Sequence, residues 1–146
     1  MADLFAALAS RPELARTLAA HMRELEAGTI APRTRELIAL MVAWLNACDY
    51  CTCVHEEIAR SIGVDAATLA TLSDFARSPH FSPAERAALS ATVALTREPR
   101  ALPPPVWDEL RAHYDENACV EIIAAVGLNN YLSRVVNALR PLSSRA

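Results

Sequence analysis

Apolar residues recur three and four positions apart along most of this chain. Leu14, Leu18, Met22 and Leu25 form one such series, and this spacing places side chains on one face of an α-helix. No segment shows the alternation of apolar and polar residues that is typical of a half-buried strand. Glycine, a poor helix former, accounts for only 3 of the 146 residues. We therefore predict an all-α fold.

Proline, glycine and capping residues predict where several helices begin and end. Pro12 suits the first turn of a helix that stops at Gly28. The sequence Ser-Pro-Ala-Glu at positions 82–85 is a capping box with proline at the first helical position, and it predicts a helix up to about Glu98. Asn117 is predicted to cap the last long helix.

The segment from residue 36 to residue 55, ELIALMVAWLNACDYCTCVH, contains a carboxylate, a cysteine pair and a histidine. We predict a break at residues 46–50, followed by a helix. On that helix Cys51 and His55 lie about 40° apart, and Cys48, if helical, lies within about 60° of Cys51. Cys53 lies about 160° from Cys51 and points away. Cys48, Cys51 and His55 can therefore share one face.

This face has the chemistry of a reactive thiol. A helix N-terminus, a neighbouring histidine and a Cys-x-x-Cys arrangement each lower the pKa of a thiol. Cysteines three positions apart at a helix start have Cα atoms about 5 Å apart, which permits a reversible disulfide. The helix terminus favours Cys48 as the nucleophile, whereas the one-turn distance to a base at His55 favours Cys51. We choose Cys51.

Glu36 is harder to place from geometry alone. In a tight antiparallel helix pair a residue near Ala43 is opposite His55, and Glu36 lies about 10 Å further along its helix. A bent or crossed arrangement is needed to join the two. Without it, Glu36 is a solvated side chain in a first helical turn.

The pattern Glu, eleven residues, Cys-x-x-Cys, three residues, His is met by Glu36, Cys48, Cys51 and His55. It resembles the AhpD-like branch of the carboxymuconolactone decarboxylase superfamily, and the sequences at 33–63, 81–98 and 106–140 resemble that family's helices. The resemblance implies one domain over residues 1–146, with N-terminal helices in 1–30 and a family core in 31–141. It also implies about six to eight helices and an obligate homo-oligomer, commonly a trimer or hexamer.

The resemblance further implies a function and residue roles. Hydroperoxides are reduced by Cys51, Cys48 resolves the oxidised product as a disulfide, and His55 and Glu36 relay the proton. A dithiol partner, such as a lipoyl or thioredoxin-like protein, restores both thiols. No cofactor and no metal are expected.

Besides a plain packing role for the Cys-x-x-Cys pair, three other interpretations of the cysteine cluster remain. Cys48, Cys51, Cys53 and His55 could supply a structural zinc site, although such sites usually join two separated pairs of ligands. A lactone decarboxylase of the same superfamily is a second reading, but it does not require two cysteines. The third is a non-enzymatic oligomer whose cysteines report oxidants without turnover.

Composition and the remaining residues limit the partners. A net charge of −3 with dispersed arginines gives no basic stripe for nucleic acid. The N-terminus lacks the pattern of a signal peptide and no uninterrupted apolar run reaches membrane-spanning length, so we expect a cytoplasmic protein that does not bind membranes. Cys119 is expected to be a buried, inert thiol. Trp44, Asn130 and Tyr131 could shape a substrate cavity or pack, and we expect packing for each.

Overall fold

The computed structural model describes residues 2–98 and 100–143, so Met1, Pro99 and residues 144–146 of the predicted domain lie outside the described residues. Within the described ranges the chain is helical and contains no strand, which confirms the all-α prediction. A short 3₁₀ helix, Leu72–Asp74, accompanies eight α-helices. These are α1 (Ala2–Ala7), α2 (Pro12–Glu26), α3 (Pro32–Leu45), α4 (Asp49–Ser61), α5 (Ala66–Ala70), α6 (Pro83–Arg97), α7 (Pro104–His113) and α8 (Glu116–Ser143).

Helix α3 is the centre of the fold. Every residue from 37 to 43 is buried, and the helix packs mainly against α4, α6 and α8. Ile38 and Val42 contact a cluster from α6, α7 and α8, whereas Leu37 and Met41 contact a second cluster that extends from α4 to α6. A helix that is apolar on all sides must be enclosed on all sides, and α3 therefore serves as the scaffold on which its neighbours are placed.

The connection from α3 to α4 reverses the chain within three residues. The N–H of Cys48 donates to the carbonyl of Ala43 at 2.9 Å, and the N–H of Ala47 donates to the carbonyl of Trp44 at 3.1 Å. Ala47 has φ +49°. These are the bonds and the left-handed residue of a Schellman motif, although the left-handed position is alanine instead of glycine. The motif delivers Cys48 directly to the N-terminus of α4.

Two other predicted helix boundaries have different outcomes. Ser82 and Glu85 form the predicted capping box at the start of α6. The prediction that Asn117 caps the last helix is wrong, because Asp115 accepts the N–H of Ala118 at 2.8 Å and α8 already begins at Glu116. Two residues upstream of Asn117, Asp115 offers the same kind of side-chain acceptor, and the helix extends to it.

Helix α8 combines length with apolar composition. Its stretch Glu116–Leu139 is long and apolar enough to cross a membrane by those criteria, and 44% of its most apolar window is buried inside the structure. Core helices of soluble proteins meet the same criteria, and Ile122, Ala125 and Val126 of α8 are indeed in the core.

Candidate active site

Cys48 and Cys51 form a disulfide at the N-terminus of α4, with Cα atoms 5.3 Å apart. Cys48 is the N-cap residue, and its Sγ accepts the N–H of Cys51 at 3.4 Å. Both are buried, but unequally: Cys48 is 1% exposed and Cys51 is 8% exposed. The separation agrees with the spacing expected from helix geometry.

The disulfide is held between three helices. Ala43 of α3 packs directly against the pair, and Tyr50 of α4 and Val136 of α8 contact the same cluster. The carbonyl of Cys48 accepts the N–H of Thr52 at 2.9 Å and its hydroxyl at 3.1 Å. The backbone of Cys48 is therefore bonded on both sides, to α3 through its N–H and to α4 through its carbonyl.

His55 and Glu36 form the polar part of the site. Nδ1 of His55 lies 2.8 Å from Oε2 of Glu36, and the two side chains are 21% and 13% exposed. An ionised carboxylate can only accept a hydrogen bond, so Nδ1 carries the proton of the neutral imidazole and Nε2 has the free lone pair. His55 follows Cys51 by one helical turn. The site thus combines a cysteine pair, an imidazole one turn further along α4 and a carboxylate bonded to that imidazole, and these are the groups that general-base activation of a thiol requires.

The register of α3 and α4 explains how Glu36 reaches His55. Leu45 ends α3 nine positions after Glu36, and His55 lies six positions after Asp49, which begins α4. At 1.5 Å per residue these distances are about 13.5 Å and 9 Å, so the two residues lie within about one turn of the same level. The expectation that the residue opposite His55 lies near Ala43 is wrong, because Ala43 lies at the turn and packs against the cysteines.

The two other cysteines lie apart from this site. Cys53 is exposed and Cys119 is buried, and both are free thiols. Burial raises the pKa of the Cys119 thiol above its ordinary value, and its Sγ donates to the carbonyl of Tyr114 at 3.5 Å. The described part of the chain contains no group of three or more His, Cys, Asp or Glu side chains arranged to hold a metal ion. The predictions that Cys53 points away and that Cys119 is buried are confirmed.

A small cavity of about 190 Å³ lies on a neighbouring face of α4. Thr52 and Glu56 form one side of it, each one position after Cys51 and His55, and Leu40 and Trp44 of α3 form another. Trp44 is 53% exposed and Tyr131 is 40% exposed. Of the two alternatives weighed for Trp44, the structure favours the lining of a cavity over packing, and the expectation that Tyr131 packs is wrong, because its side chain is exposed.

Sequence reasoning missed a set of amides that joins α8 to the turn before Cys48. Asn130 Oδ1 accepts from Nδ2 of Asn46 at 3.0 Å, and Nδ2 of Asn137 donates to the carbonyl of Asn46 at 3.1 Å. Asn46 is separated from these two residues by 84 and 91 positions. Amide residues have no characteristic spacing, so no local pattern could have indicated the contacts.

Comparison with known proteins now defines the class. The sequence matches the carboxymuconolactone decarboxylase family over residues 12–94, and the chain belongs to this family. The uncharacterized protein YdfG of Bacillus subtilis is 30% identical over 103 residues, which is 70% of each chain.

Comparison with solved structures identifies the branch of the family. A protein of unknown function from Agrobacterium tumefaciens, suggested to be the antioxidant defence protein AhpD, superposes with a TM-score of 0.86 at 25% identity, covering 91% of this chain and 92% of that one. The debrominase Bmp8 superposes with a TM-score of 0.83 at 27% identity, covering 91% and 72%. The chain is therefore an AhpD-like member of the family, and the structures similar to it include a debrominase.

Proposed function

We propose that this protein is a thiol-dependent peroxidase that reduces hydroperoxides through a dithiol–disulfide cycle of Cys48 and Cys51. One observation carries the proposal. The Cys48–Cys51 disulfide lies one helical turn from His55, whose Nδ1 is bonded to Glu36 at 2.8 Å. A cysteine pair beside an oriented imidazole can be oxidised, closed and reopened without any other group from the chain.

In the first step His55 accepts the proton of the Cys51 thiol at Nε2, while Glu36 stabilises the imidazolium. The thiolate attacks a peroxide oxygen, so that an S–O bond forms and the O–O bond breaks. The departing alkoxide takes the proton back from His55. The balance is Cys51–SH + ROOH → Cys51–SOH + ROH.

In the second step the Cys48 thiol attacks the sulfenic sulfur of Cys51, the disulfide forms and water leaves. A dithiol partner, such as a lipoyl or thioredoxin-like protein, then attacks the disulfide and leaves as its own disulfide. Cys48 and Cys51 return to thiols, so each cycle oxidises one dithiol and reduces one hydroperoxide.

Two properties support Cys51 as the residue that meets the peroxide. It lies one turn from His55, whereas Cys48 lies before the first residue of α4. It is also the more exposed of the two, at 8% against 1%. A resolving thiol needs only to reach its neighbour, so complete burial of Cys48 is compatible with its role.

The similarity to Bmp8 favours one second candidate, a reductive dehalogenase that uses the same cysteine pair. A complex of a Cys-to-Ala variant of Bmp8 with 2,3,4-tribromopyrrole provides the probe. Cys51 would remove bromine from the ring as a sulfenyl bromide while the ring carbon takes a proton. Cys48 would then displace bromide to form the disulfide.

The deciding experiment follows oxidation of dihydrolipoamide by the purified protein with cumene hydroperoxide, and separately with 2,3,4-tribromopyrrole. We expect hydroperoxide-dependent oxidation that is absent from a Cys51→Ser variant and retained in a Cys53→Ser variant. Turnover with the bromopyrrole alone would establish the second candidate. Disulfide formation without turnover on either substrate would contradict both and favour a redox-sensitive oligomer, and absence of any redox change would favour a lyase.

We also propose a homo-oligomer, a trimer or a hexamer. Trp44, Val120 and Tyr131 are large apolar residues that are 53%, 62% and 40% exposed, and a neighbouring subunit would remove them from water. Light scattering coupled to size exclusion measures the mass directly. A monomer of 15.9 kDa across the micromolar range would refute this proposal.

A further inference from the structure

Both the oxygen and the nitrogen of the Asn130 side-chain amide make hydrogen bonds. Oδ1 accepts from Nδ2 of Asn46 at 3.0 Å and from Nη1 of Arg134 at 2.6 Å. Nδ2 donates to Oγ1 of Thr96 and to the carbonyl of Val126, both at 3.0 Å. Four partners fix both the position and the orientation of this amide, since a rotated amide would place donors against donors.

Of these four contacts, the one to Asn46 leads to the cysteine pair. Asn46 is the C-cap residue of α3 and lies two residues before Cys48. Its side chain is bonded to Asn130 and its carbonyl accepts from Nδ2 of Asn137 at 3.1 Å. Helix α8 therefore holds this residue by its side chain and by its backbone.

From Asn46 to Cys48 the chain has little remaining freedom. Ala47 is held in the left-handed region at φ +49°, and the N–H of Cys48 is bonded to the carbonyl of Ala43. If Asn46 is released, the left-handed alanine becomes the weakest part of the turn, because this conformation is unfavourable for any residue with a Cβ. The position of Cys48 then depends on the bond to Ala43 alone on the α3 side.

We propose that Asn130 is a positioning residue for the redox pair, and that its amide holds the turn so that the Cys48 sulfur stays within reach of Cys51. Formation of the disulfide depends on how often the Cys48 thiol meets the oxidised sulfur of Cys51 in the right geometry. Fixing the turn raises the effective concentration of Cys48 at Cys51. Asn130 does not touch the thiols and acts through Asn46.

The inference rests on the proposed function in one respect, namely that the pair opens and closes. It predicts a selective effect. Loosening the turn slows attack of Cys48 on oxidised Cys51, whereas the first step, which depends on Cys51, His55 and Glu36, proceeds at its normal rate. If Asn130 merely stabilised the fold, its replacement would lower the melting temperature without changing the equilibrium between the two thiols and the disulfide.

The test equilibrates the full-length protein with mixtures of reduced and oxidised glutathione and measures the fraction of Cys48–Cys51 disulfide by mass spectrometry. The reaction is balanced, since one oxidised glutathione becomes two reduced molecules as the protein dithiol closes. For Asn130→Ala we expect the equilibrium constant for closure to fall about tenfold, because the part-buried hydrogen bond to Asn46 that orders the turn before Cys48 is lost. Sulfenic acid on Cys51 should also form at the wild-type rate and persist longer.

The neighbouring residue provides a matched control. Among the described residues, Asn129 donates from Nδ2 to the carbonyl of Ala125 alone, within its own helix, at 2.9 Å. Asn129→Ala should leave the closure constant unchanged. Asn130→Asp keeps an acceptor for Asn46 and Arg134, and the Thr96 hydroxyl can rotate to donate to it, but the donor to the carbonyl of Val126 is lost. This variant should therefore restore part of the closure constant.

Asn46→Ala removes the same hydrogen bond from the turn side and replaces the test if Asn130→Ala does not fold. An unchanged closure constant in a folded Asn130→Ala or Asn46→Ala variant would overturn the inference. An equal fall of the closure constant in Asn129→Ala would also overturn it, because the effect would then come from a general weakening of α8. Failure of the wild-type protein to form any disulfide would overturn the proposed function as well, so the two failures can be told apart.

Discussion

His55 Nδ1 and Glu36 Oε2 lie 2.8 Å apart, although nineteen residues separate them in sequence. Glu36 belongs to the first half of α3 and His55 to the middle of α4. The contact selects the tautomer of the imidazole and directs Nε2 away from the carboxylate, because Nδ1 must carry the shared proton. The orientation and the tautomer of His55 are thus set by a residue on another helix.

Replacing Glu36 by glutamine should lower peroxide turnover by about 100-fold or more, because general-base catalysis contributes about 10²–10⁴-fold and His55 depends on this carboxylate for its tautomer. The amide can donate to Nδ1 and so favour the wrong tautomer. Dithiol oxidation with cumene hydroperoxide measures the loss. Glu57→Gln is the control, since this exposed carboxylate lies two residues from His55. Equal turnover in the two variants would remove Glu36 from the proton relay.

Replacing His55 by alanine should move the alkylation profile of Cys51 to higher pH, because the thiol loses its proton acceptor. The rate of iodoacetamide labelling at Cys51 is measured against pH in a Cys48→Ser, Cys53→Ser background. That background leaves Cys51 and the buried Cys119 as the remaining cysteines. His80→Ala, at an exposed histidine, should keep the original profile. An unshifted profile in the His55 variant would exclude it as the base.

Replacement of each cysteine of the pair should have a different effect on turnover. Cys51→Ser is expected to abolish turnover, whereas Cys48→Ser should stop after one oxidation and retain a sulfenic acid on Cys51. Trapping with dimedone and peptide mass spectrometry locate the adduct. The Cys53→Ser variant tests whether the exposed third thiol competes, and it should resemble wild type. An adduct on Cys48 in the Cys51→Ser protein would reverse the assignment.

Much of the site could be predicted because its spacing is local. Cys51, Cys53 and His55 belong to one helix, so the helical rotation per residue alone places Cys51 and His55 together and Cys53 apart. The contact between Glu36 and His55 could not be predicted in this way. It depends on the connection between two helices, and this connection contains a left-handed alanine where glycine would have been the recognisable signal.

The contacts around the site could not be predicted from the sequence, for a related reason. Asn130 contacts Asn46 across 84 residues, and nothing in the sequence near either residue distinguishes this amide from a solvated one. Trp44 belongs to the most buried helix, yet it is half exposed. The apolar character of α3 identifies it as a core helix. It does not indicate that the neighbouring helices leave the last turn of α3, with Trp44, uncovered.

Cys119 provides a prediction that depends on pH. Burial raises the pKa of its thiol, so the folded state favours the neutral form. The contribution to stability is fully present below the pKa of the unfolded thiol and is lost as pH rises through the higher folded value. The stability advantage of wild type over Cys119→Ala, from urea unfolding, should therefore be constant near neutral pH and shrink in alkaline solution. Labelling by iodoacetamide at neutral pH should reach Cys53 and spare Cys119 until urea is added.

The ends of α3 and α4 form a matched pair for the last prediction. Both end in a Schellman motif, with Ala47 at φ +49° in the first and Gly63 at φ +88° in the second. A left-handed residue with a Cβ costs about 1–2 kcal/mol, while glycine loses about 0.5–1 kcal/mol more backbone entropy on folding. Ala47→Gly should therefore stabilise the protein by about 0.5–1 kcal/mol.

Gly63→Ala should destabilise the protein by a similar amount. A Cβ at Gly63 meets nothing within 4 Å, so that variant reports the backbone conformation alone. Urea unfolding under reducing and oxidising conditions measures both changes. A loss of stability in Ala47→Gly would show that the backbone strain at Ala47 costs less than the conformational entropy that glycine adds to the unfolded chain.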